Sequence, residues 1–276
     1  MPNRSLLPLA ALAAACLISL PSAAIEGGWS DVRDGAVGLI YGGGAGVCTG
    51  TLIRPDIVLT AAHCIGPRLP TFYTGQGRRQ SAVTVPPGMT ANRVIRQLPM
   101  PGFVRNRAGC GNNDAALLKL AAPLRGVSPI AFAPASAYRA NAQCSVVGFG
   151  LHMAGGAYTM ETKRRAHVRI ATPSPLRVNW AGGIANHGDS GGPLYCNSRI
   201  AGVTSCVTDG AGRVIPVDAP PDSAPSTWRS IYTRTDRVTS WVNSTIASWA
   251  SPAGNASTRP RTPARRPAAS NKAARH

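Results

Sequence analysis

Between Ile25 and about Ala133, and again from Cys144 through Val203, apolar residues come in short runs cut off by Gly, Pro or Asn. Ala36-Val-Gly-Leu-Ile-Tyr41, Thr51-Leu-Ile53, Ile57-Val-Leu-Thr60 and Ala115-Ala-Leu-Leu-Lys-Leu120 are examples. Many short strands with frequent turn signals predict an all-β sandwich or barrel. The 276 residues allow one large domain or two small ones, and an apolar fraction of 44% is ample for a packed core. One segment near the end has a different period. Val238, Trp241, Val242, Ile246 and Trp249 recur at helical spacing, with Thr235 or Asp236 placed to cap the start. A helix is therefore expected over about 236–249, its apolar stripe on the barrel. No internal repeat of 20 to 50 residues is visible.

The two ends differ from this body. Residues 1–24 read as a secretory signal: Arg4 gives a positive start, Leu6 to Leu20 is almost wholly apolar, and Ser22-Ala23-Ala24 supplies a small-x-small cleavage pattern. A transmembrane helix is the competing reading, but the stretch is short for a span and ends in a cleavage signature. Lipidation at Cys16 fits poorly, because Ala13 precedes it by three and apolar sequence continues past it. A secreted or periplasmic location is expected. Residues 251–276 are dominated by Pro, Ala, Ser, Thr and Arg, with six cations and no acid. Such a segment buries too little apolar area to offset the entropy of ordering, so disorder is expected there.

Charge is lopsided across the chain: 29 Lys plus Arg against 11 Asp plus Glu, a formal net charge of +18. That balance favours adsorption to an anionic surface or polymer, with the basic tail as one contact. A solvated linker remnant is the plainer account of the tail, and charge alone is no argument for a specific nucleic acid target. The Ala- and Arg-rich composition hints at a bacterial source. Removing the leader takes Cys16 with it and leaves cysteines 48, 64, 110, 144, 196 and 206. An even number in an exported chain implies three disulfides, and counting alone leaves 15 pairings open. With no CxxC and no His-rich cluster, neither a metal nor a cofactor is expected.

Ser190 lies in Asn186-His-Gly-Asp-Ser-Gly-Gly-Pro-Leu194, where the glycines allow a tight turn. A serine hydroxyl is a poor nucleophile at neutral pH; it needs a base in hydrogen-bond range, and the base needs an orienting partner. Of the five histidines, His63 stands in Leu59-Thr-Ala-Ala-His-Cys64, where an apolar strand meets small residues and a cysteine anchor. His152 and His167 fall in glycine-rich or charged stretches expected at the surface, His276 ends the tail, and His187 is too near Ser190 in the chain to reach back to it comfortably. Between Cys64 and Gly188 the acids are Asp114 and Glu161. Asp114 runs straight into an apolar strand, where a carboxylate is costly to bury without a partner. Glu161 is followed by Thr162-Lys-Arg-Arg165 and suits a solvated loop. The turn also matches the nucleophile elbow of α/β-hydrolases, but that fold needs its acid and histidine after the serine, and only His276 follows.

Taken together, Thr60-Ala-Ala-His-Cys64, Asn112-Asn-Asp-Ala-Ala-Leu-Leu118 and Gly188-Asp-Ser-Gly-Gly-Pro-Leu194 resemble the three signature segments of the chymotrypsin-like, or trypsin-fold, serine endopeptidases, in that family's order. Cys48-Thr-Gly-Thr-Leu-Ile53, Cys144-Ser-Val-Val-Gly-Phe-Gly150 and Ile231-Tyr-Thr-Arg234 before a helix extend the likeness over Ile25 to about Ala250. The resemblance implies two six-stranded antiparallel β-barrels, about 25–133 and about 134–235, with the active site between them and a C-terminal α-helix. It implies Ser190 as nucleophile, His63 as base and then acid, Asp114 as orienter, and the N–H groups of Gly188 and Ser190 as the oxyanion hole. A free Ile25 amine, released here by signal cleavage after Ala24, would pair with Asp189; Glu26 departs from the family's usual apolar second residue.

The same resemblance implies the disulfides Cys48–Cys64 and Cys144–Cys196, leaving Cys110–Cys206 as a third that would staple the barrels near the substrate. It puts Ile184 at the floor of the substrate pocket, with His187, Ser205, Val207 and Ser230 around it. No acid occurs between Glu161 and Asp189, so cleavage after small or medium apolar residues is expected rather than after Lys or Arg. Asp209 or Asp218, in the 23-residue stretch between Cys206 and Ser230, would change that by entering the pocket. The partner expected is a polypeptide substrate of a monomeric enzyme. A protease-shaped binding module is the rival from another class; it usually shows a substituted His, Asp or Ser, and none is substituted here.

Overall fold

The computed structural model describes residues 25–44, 46–77, 85–105, 111–154, 157–159, 162–215 and 225–250. The leader 1–24 and the tail 251–276 lie outside the described residues. Val37–Tyr41, Cys48–Arg54, Ile57–Thr60, Thr71–Thr74, Thr90–Pro99 and Ala116–Leu120 close one antiparallel barrel. Gln143–Gly148, Arg164–Pro173, Leu176–Trp180, Pro193–Cys196, Arg199–Thr208 and Arg229–Arg234 close a second. If each set is counted in chain order, both barrels run first, second, third, sixth, fifth, fourth and back to first. The all-β, two-barrel architecture expected from the sequence is the one the chain adopts, with a single C-terminal helix.

Two strand textures follow from where each strand sits. Cys48–Arg54 is buried on both faces except at Arg54, consistent with its nearly unbroken run of apolar and small residues. Arg164–Pro173 instead alternates: Ala166, Val168 and Ile170 point into the second core, while His167 and Arg169 are exposed. The entry to the chain is less obvious from sequence order. Trp29–Ser30 pairs with Arg164 and Arg165, and the fully buried Ile25 belongs to the second core. Residues that directly precede the first barrel are thus built onto the second. Arg165 holds the crossing by ion pairs to Asp31 at 2.7 Å and Asp34 at 3.1 Å.

The helix Thr235–Ala250 matches the predicted segment, and its buried face is the predicted stripe. Val238, Val242 and Trp249 join a core that the first barrel shares with Val147, Ile200 and Val203 of the second, and the helix packs along Arg199–Thr208. The Arg96 guanidinium caps the Trp249 ring at 5.4 Å from its centroid. Neither expected cap acts as one. The Thr235 hydroxyl donates to the Ile200 carbonyl, Asp236 pairs with Arg234, and the Asp236 N–H is taken by the Tyr138 hydroxyl. Tertiary partners have replaced the local cap. Cys48–Cys64 and Cys144–Cys196 are bonded, with Cα atoms 6.0 Å and 4.5 Å apart. Cys206 is also in a disulfide, while Cys110, its expected partner, lies outside the described residues. Among the described residues no helix is long and apolar enough to cross a membrane.

Candidate active site

The strand Ile57–Thr60 is wholly buried and ends in a single helical turn, Ala62–Cys64, that carries His63 to the barrel rim. The Cys48–Cys64 bond ties that turn to the neighbouring strand. Ile57–Thr60 pairs with Ala116–Leu120, Thr60 lying opposite Ala116, so Asp114 emerges at the same rim. Asp114 is fully buried and accepts three hydrogen bonds: from the His63 N–H at 2.9 Å, from His63 Nδ1 at 2.7 Å and from the Ser205 hydroxyl at 2.6 Å. A carboxylate only accepts, so Nδ1 carries the proton and Nε2 is the ring nitrogen left able to take one.

Ser190 comes from the second barrel but is held by the first. The Thr49 N–H donates to the Ser190 carbonyl at 2.8 Å, and the Thr49 hydroxyl donates to the Gly188 carbonyl at 2.9 Å. Cys64 Sγ, next in sequence to His63, lies 3.5 Å from the same Ser190 carbonyl. The turn needs its glycines. Gly188 has φ +95 and Gly191 φ +82, and a Cβ on Gly191 would collide with the Thr60 hydroxyl and the Thr49 carbonyl. Within the described residues neither the Gly188 nor the Ser190 N–H is hydrogen-bonded, and the Ser190 hydroxyl is also unengaged. Contacts between nucleophile and base are often long without substrate and tighten when it binds.

Asp189 lies beneath this turn, fully buried. It accepts N–H bonds from Gly150 at 2.7 Å and Asn186 at 2.8 Å, and no cation pairs with it among the described residues. Burial pushes its carboxyl up to about 7; the two N–H bonds pull the other way, and the Glu26 carboxylate pushes in the same direction as burial. Gly148 and Gly150 leave the room it occupies, since a Cβ on either would collide with its carboxylate. Ile25 packs in the same core as Ile184 and Ala185, the Ile184 N–H donates to the Glu26 carbonyl, and the Asn186 amide donates to Glu26 Oε1. The start of the described chain is thus docked around the Asp189 turn.

The other expected site residues separate into groups. Ile184 is fully buried and apolar, and Val207 and Ser230 lie opposite each other in adjacent strands. Ser205 directs its hydroxyl to Asp114, a partnership that residue type at position 205 does not announce. His187 donates from Nε2 to the Ile215 carbonyl at 2.9 Å, far from any role as base to Ser190. Asp209 does not turn toward a pocket: its carboxylate is spent on the Arg213 guanidinium and on the Ala211 and Arg213 N–H groups, and Asp218 lies outside the described residues. His167 is exposed as expected, but His152 is fully buried, a correction to its surface placement. Its glycine-rich neighbourhood marks a tight backbone path, which need not be a solvated one. Cys48, His63 and Cys64 bring ligand-type atoms within 4.8 Å of one another, yet both sulfurs are consumed in a disulfide and offer no thiolate to a metal.

With this geometry in place, comparison with known proteins is direct. The model of the trypsin family matches residues 32–242. Human kallikrein-11 is 26% identical over 219 residues, covering 72% of this chain and 72% of its own length. Human cathepsin G is 29% identical over 219 residues, covering 73% of this chain and 77% of its own. Among solved structures, neuropsin, a serine protease expressed in the limbic system of mouse brain, superposes with a TM-score of 0.61. Its identity is 20%, with 79% of this chain and 98% of that chain covered, and the likeness bears on fold alone.

Proposed function

The chain belongs to the trypsin family and is a serine endopeptidase, and from that premise we propose that Ser190, His63 and Asp114 carry the hydrolysis through an acyl-enzyme. The Ser190 hydroxyl adds to the peptide carbonyl while His63 Nε2 takes its proton. The imidazolium then gives that proton to the departing amine, and the cycle repeats with water on the acyl ester. Asp114 keeps the imidazole in the tautomer whose Nε2 carries no proton and offsets the imidazolium charge. The unengaged N–H groups of Gly188 and Ser190 supply the donors a tetrahedral oxyanion needs. The observation that carries this reading is Asp114: a fully buried carboxylate bonded at once to the main chain and ring of His63 and to Ser205, with the Ser190 turn bonded to Thr49 alongside.

The finer reading follows the sequence. Export with cleavage after Ala24 would give the protein a secreted or periplasmic place and free the Ile25 amine. Asp189, buried and with no cation beside it among the described residues, is the group such an amine would pair with. Ile184 as an apolar pocket floor, with Asp209 engaged by Arg213, favours cleavage after small or medium apolar residues of a polypeptide. The protein acts as a monomer, and its basic tail, 251–276, offers a contact for anionic surfaces or polymers. Labelling with a fluorophosphonate that reports active serines tests the triad. Secreted protein starting at Ile25 is expected to label, whereas Ser190→Ala and His63→Ala are not. Absence of labelling on folded wild-type protein would make the fold a binding module instead.

A further inference from the structure

Arg199–Thr208 is the strand that leads from the second core to the site, and its two edges are used differently. One edge pairs with Arg229–Arg234 along its length, from Gly202 opposite Arg234 to Thr208 opposite Arg229. The other pairs with Pro193–Cys196 as far as Val203, and Thr204 exchanges bonds with Gly191 and Gly192. Past that point the edge runs beside the site, with the Ser205 hydroxyl on Asp114. Successive residues of a strand offer their main-chain groups to alternate edges, and the register shift between Thr204 and Cys206 resets that alternation. Thr204 and Val207 therefore face the same edge, the one next to the nucleophile turn.

An exposed sheet edge beside a nucleophile is where an extended peptide adds as a further strand, through main-chain hydrogen bonds. Here the chain has covered that edge itself. The Ile215 N–H donates to the Val207 carbonyl at 3.0 Å, and Thr208 and Val214 form an antiparallel bridge. The turn between them is locked by the Asp209 carboxylate on Arg213. Ile215 is 7% exposed, packed into the second core with Val207. Its carbonyl, on the far side, is held by His187 Nε2–H. His187 is in turn fixed by its own N–H on the Asn186 side chain at 2.7 Å, within the turn that carries Asp189 and Ser190.

We infer that His187 is a clasp, and that it holds Val214–Ile215 as a built-in strand competing with the substrate main chain for the edge at Val207. This rests on the serine endopeptidase reading and adds a specificity-determining pair to it. Substrates long enough to need the Val207 edge must displace the segment, whereas a substrate reacting at Ser190 without that edge need not. His187 is a positioning residue in this account: it acts through Ile215 and touches neither the scissile carbonyl nor the base. The clasp therefore sets how strongly the enzyme discriminates by substrate length, independently of side-chain preference.

The test compares a four-residue peptide amide with a single-residue ester of the same acyl side chain, on mature enzyme quantified by fluorophosphonate titration. For His187→Ala the ratio of the two kcat/KM values, peptide over ester, is expected to rise by roughly three- to tenfold, the worth of one neutral hydrogen bond. His187→Gln, which can still donate to the Ile215 carbonyl, should return the ratio toward wild type. Amide hydrogen exchange at Ile215 should be faster in His187→Ala than in wild type. An unchanged or lower ratio in His187→Ala, with the ester still hydrolysed, overturns the clasp. Failure of wild-type enzyme to label or to cleave the ester strikes the endopeptidase reading instead, and the clasp falls with it.

Discussion

The two barrels wind six strands in one order but contribute to the site in opposite ways. Barrel one supplies His63 and Asp114 from the ends of adjacent, largely buried strands, and the bond between them is already made. Barrel two supplies Ser190 on a glycine turn whose underside is a buried carboxyl group that no cation pairs with among the described residues. One half of the site is set by strand pairing and apolar packing, the other rests on a carboxyl group whose burial resists ionisation. A histidine–carboxylate pair can be fixed by strand pairing alone, whereas under the proposed function the turn resting on Asp189 would depend on the Ile25 amine.

Stability against pH is the sharpest way to break this comparison. In the uncleaved chain burial holds Asp189 protonated up to about 7, whereas its unfolded counterpart ionises near 3.8. Across that window the folded state binds more protons than the unfolded one, so stability falls as pH rises from about 4 to about 7 and levels off above. The loss attributable to Asp189 is on the order of 4 kcal/mol. Chemical denaturation of the Ile25-blocked chain at pH 4, 5, 6 and 7 would read it. Asp189→Asn should remove the slope, and so should a free Ile25 amine; identical slopes in all three would remove Asp189 from the account.

A smaller effect tests how far barrel one holds together apart from its neighbour. Its packing includes Trp249 from a helix that departs barrel two. Truncation by Trp249→Ala should cost about 3 kcal/mol, the low end for a buried aromatic because the ring is at the rim. Amide exchange along Thr90–Pro99, the strand carrying Arg96, should accelerate first, with the second barrel little affected. Uniform acceleration in both barrels would show that they unfold as one unit.

The smallest expected change concerns the side chain that barrel two gives to Asp114. Ser205→Ala removes one of the three bonds to Asp114, leaving the two from His63. A fall in kcat of roughly tenfold is expected, the worth of a hydrogen bond to a charged group. Unchanged activity, with His63→Ala still inactive, would make the contact structural only.

Much of this was legible in the residues. Short apolar runs dictated strands, the 3.6-residue spacing of Val238, Val242 and Trp249 dictated the helix, and the isolation of His63, Asp114 and Ser190 among few histidines and acids singled them out. These are properties of local spacing and of residue chemistry, which a chain carries before it folds. What the tertiary structure alone decided are contacts between segments far apart in sequence. Ile25 docked on barrel two, the helix packed where the two barrels share a core, Ser205 bonded to Asp114, and His187 bonded to Ile215 all depend on which sheet edges and faces meet. Burial of His152, which its glycine-rich surroundings do not signal, belongs with them. Hydrogen-bond satisfaction and close packing are settled only when distant segments share a surface, and no local pattern encodes which segments those will be.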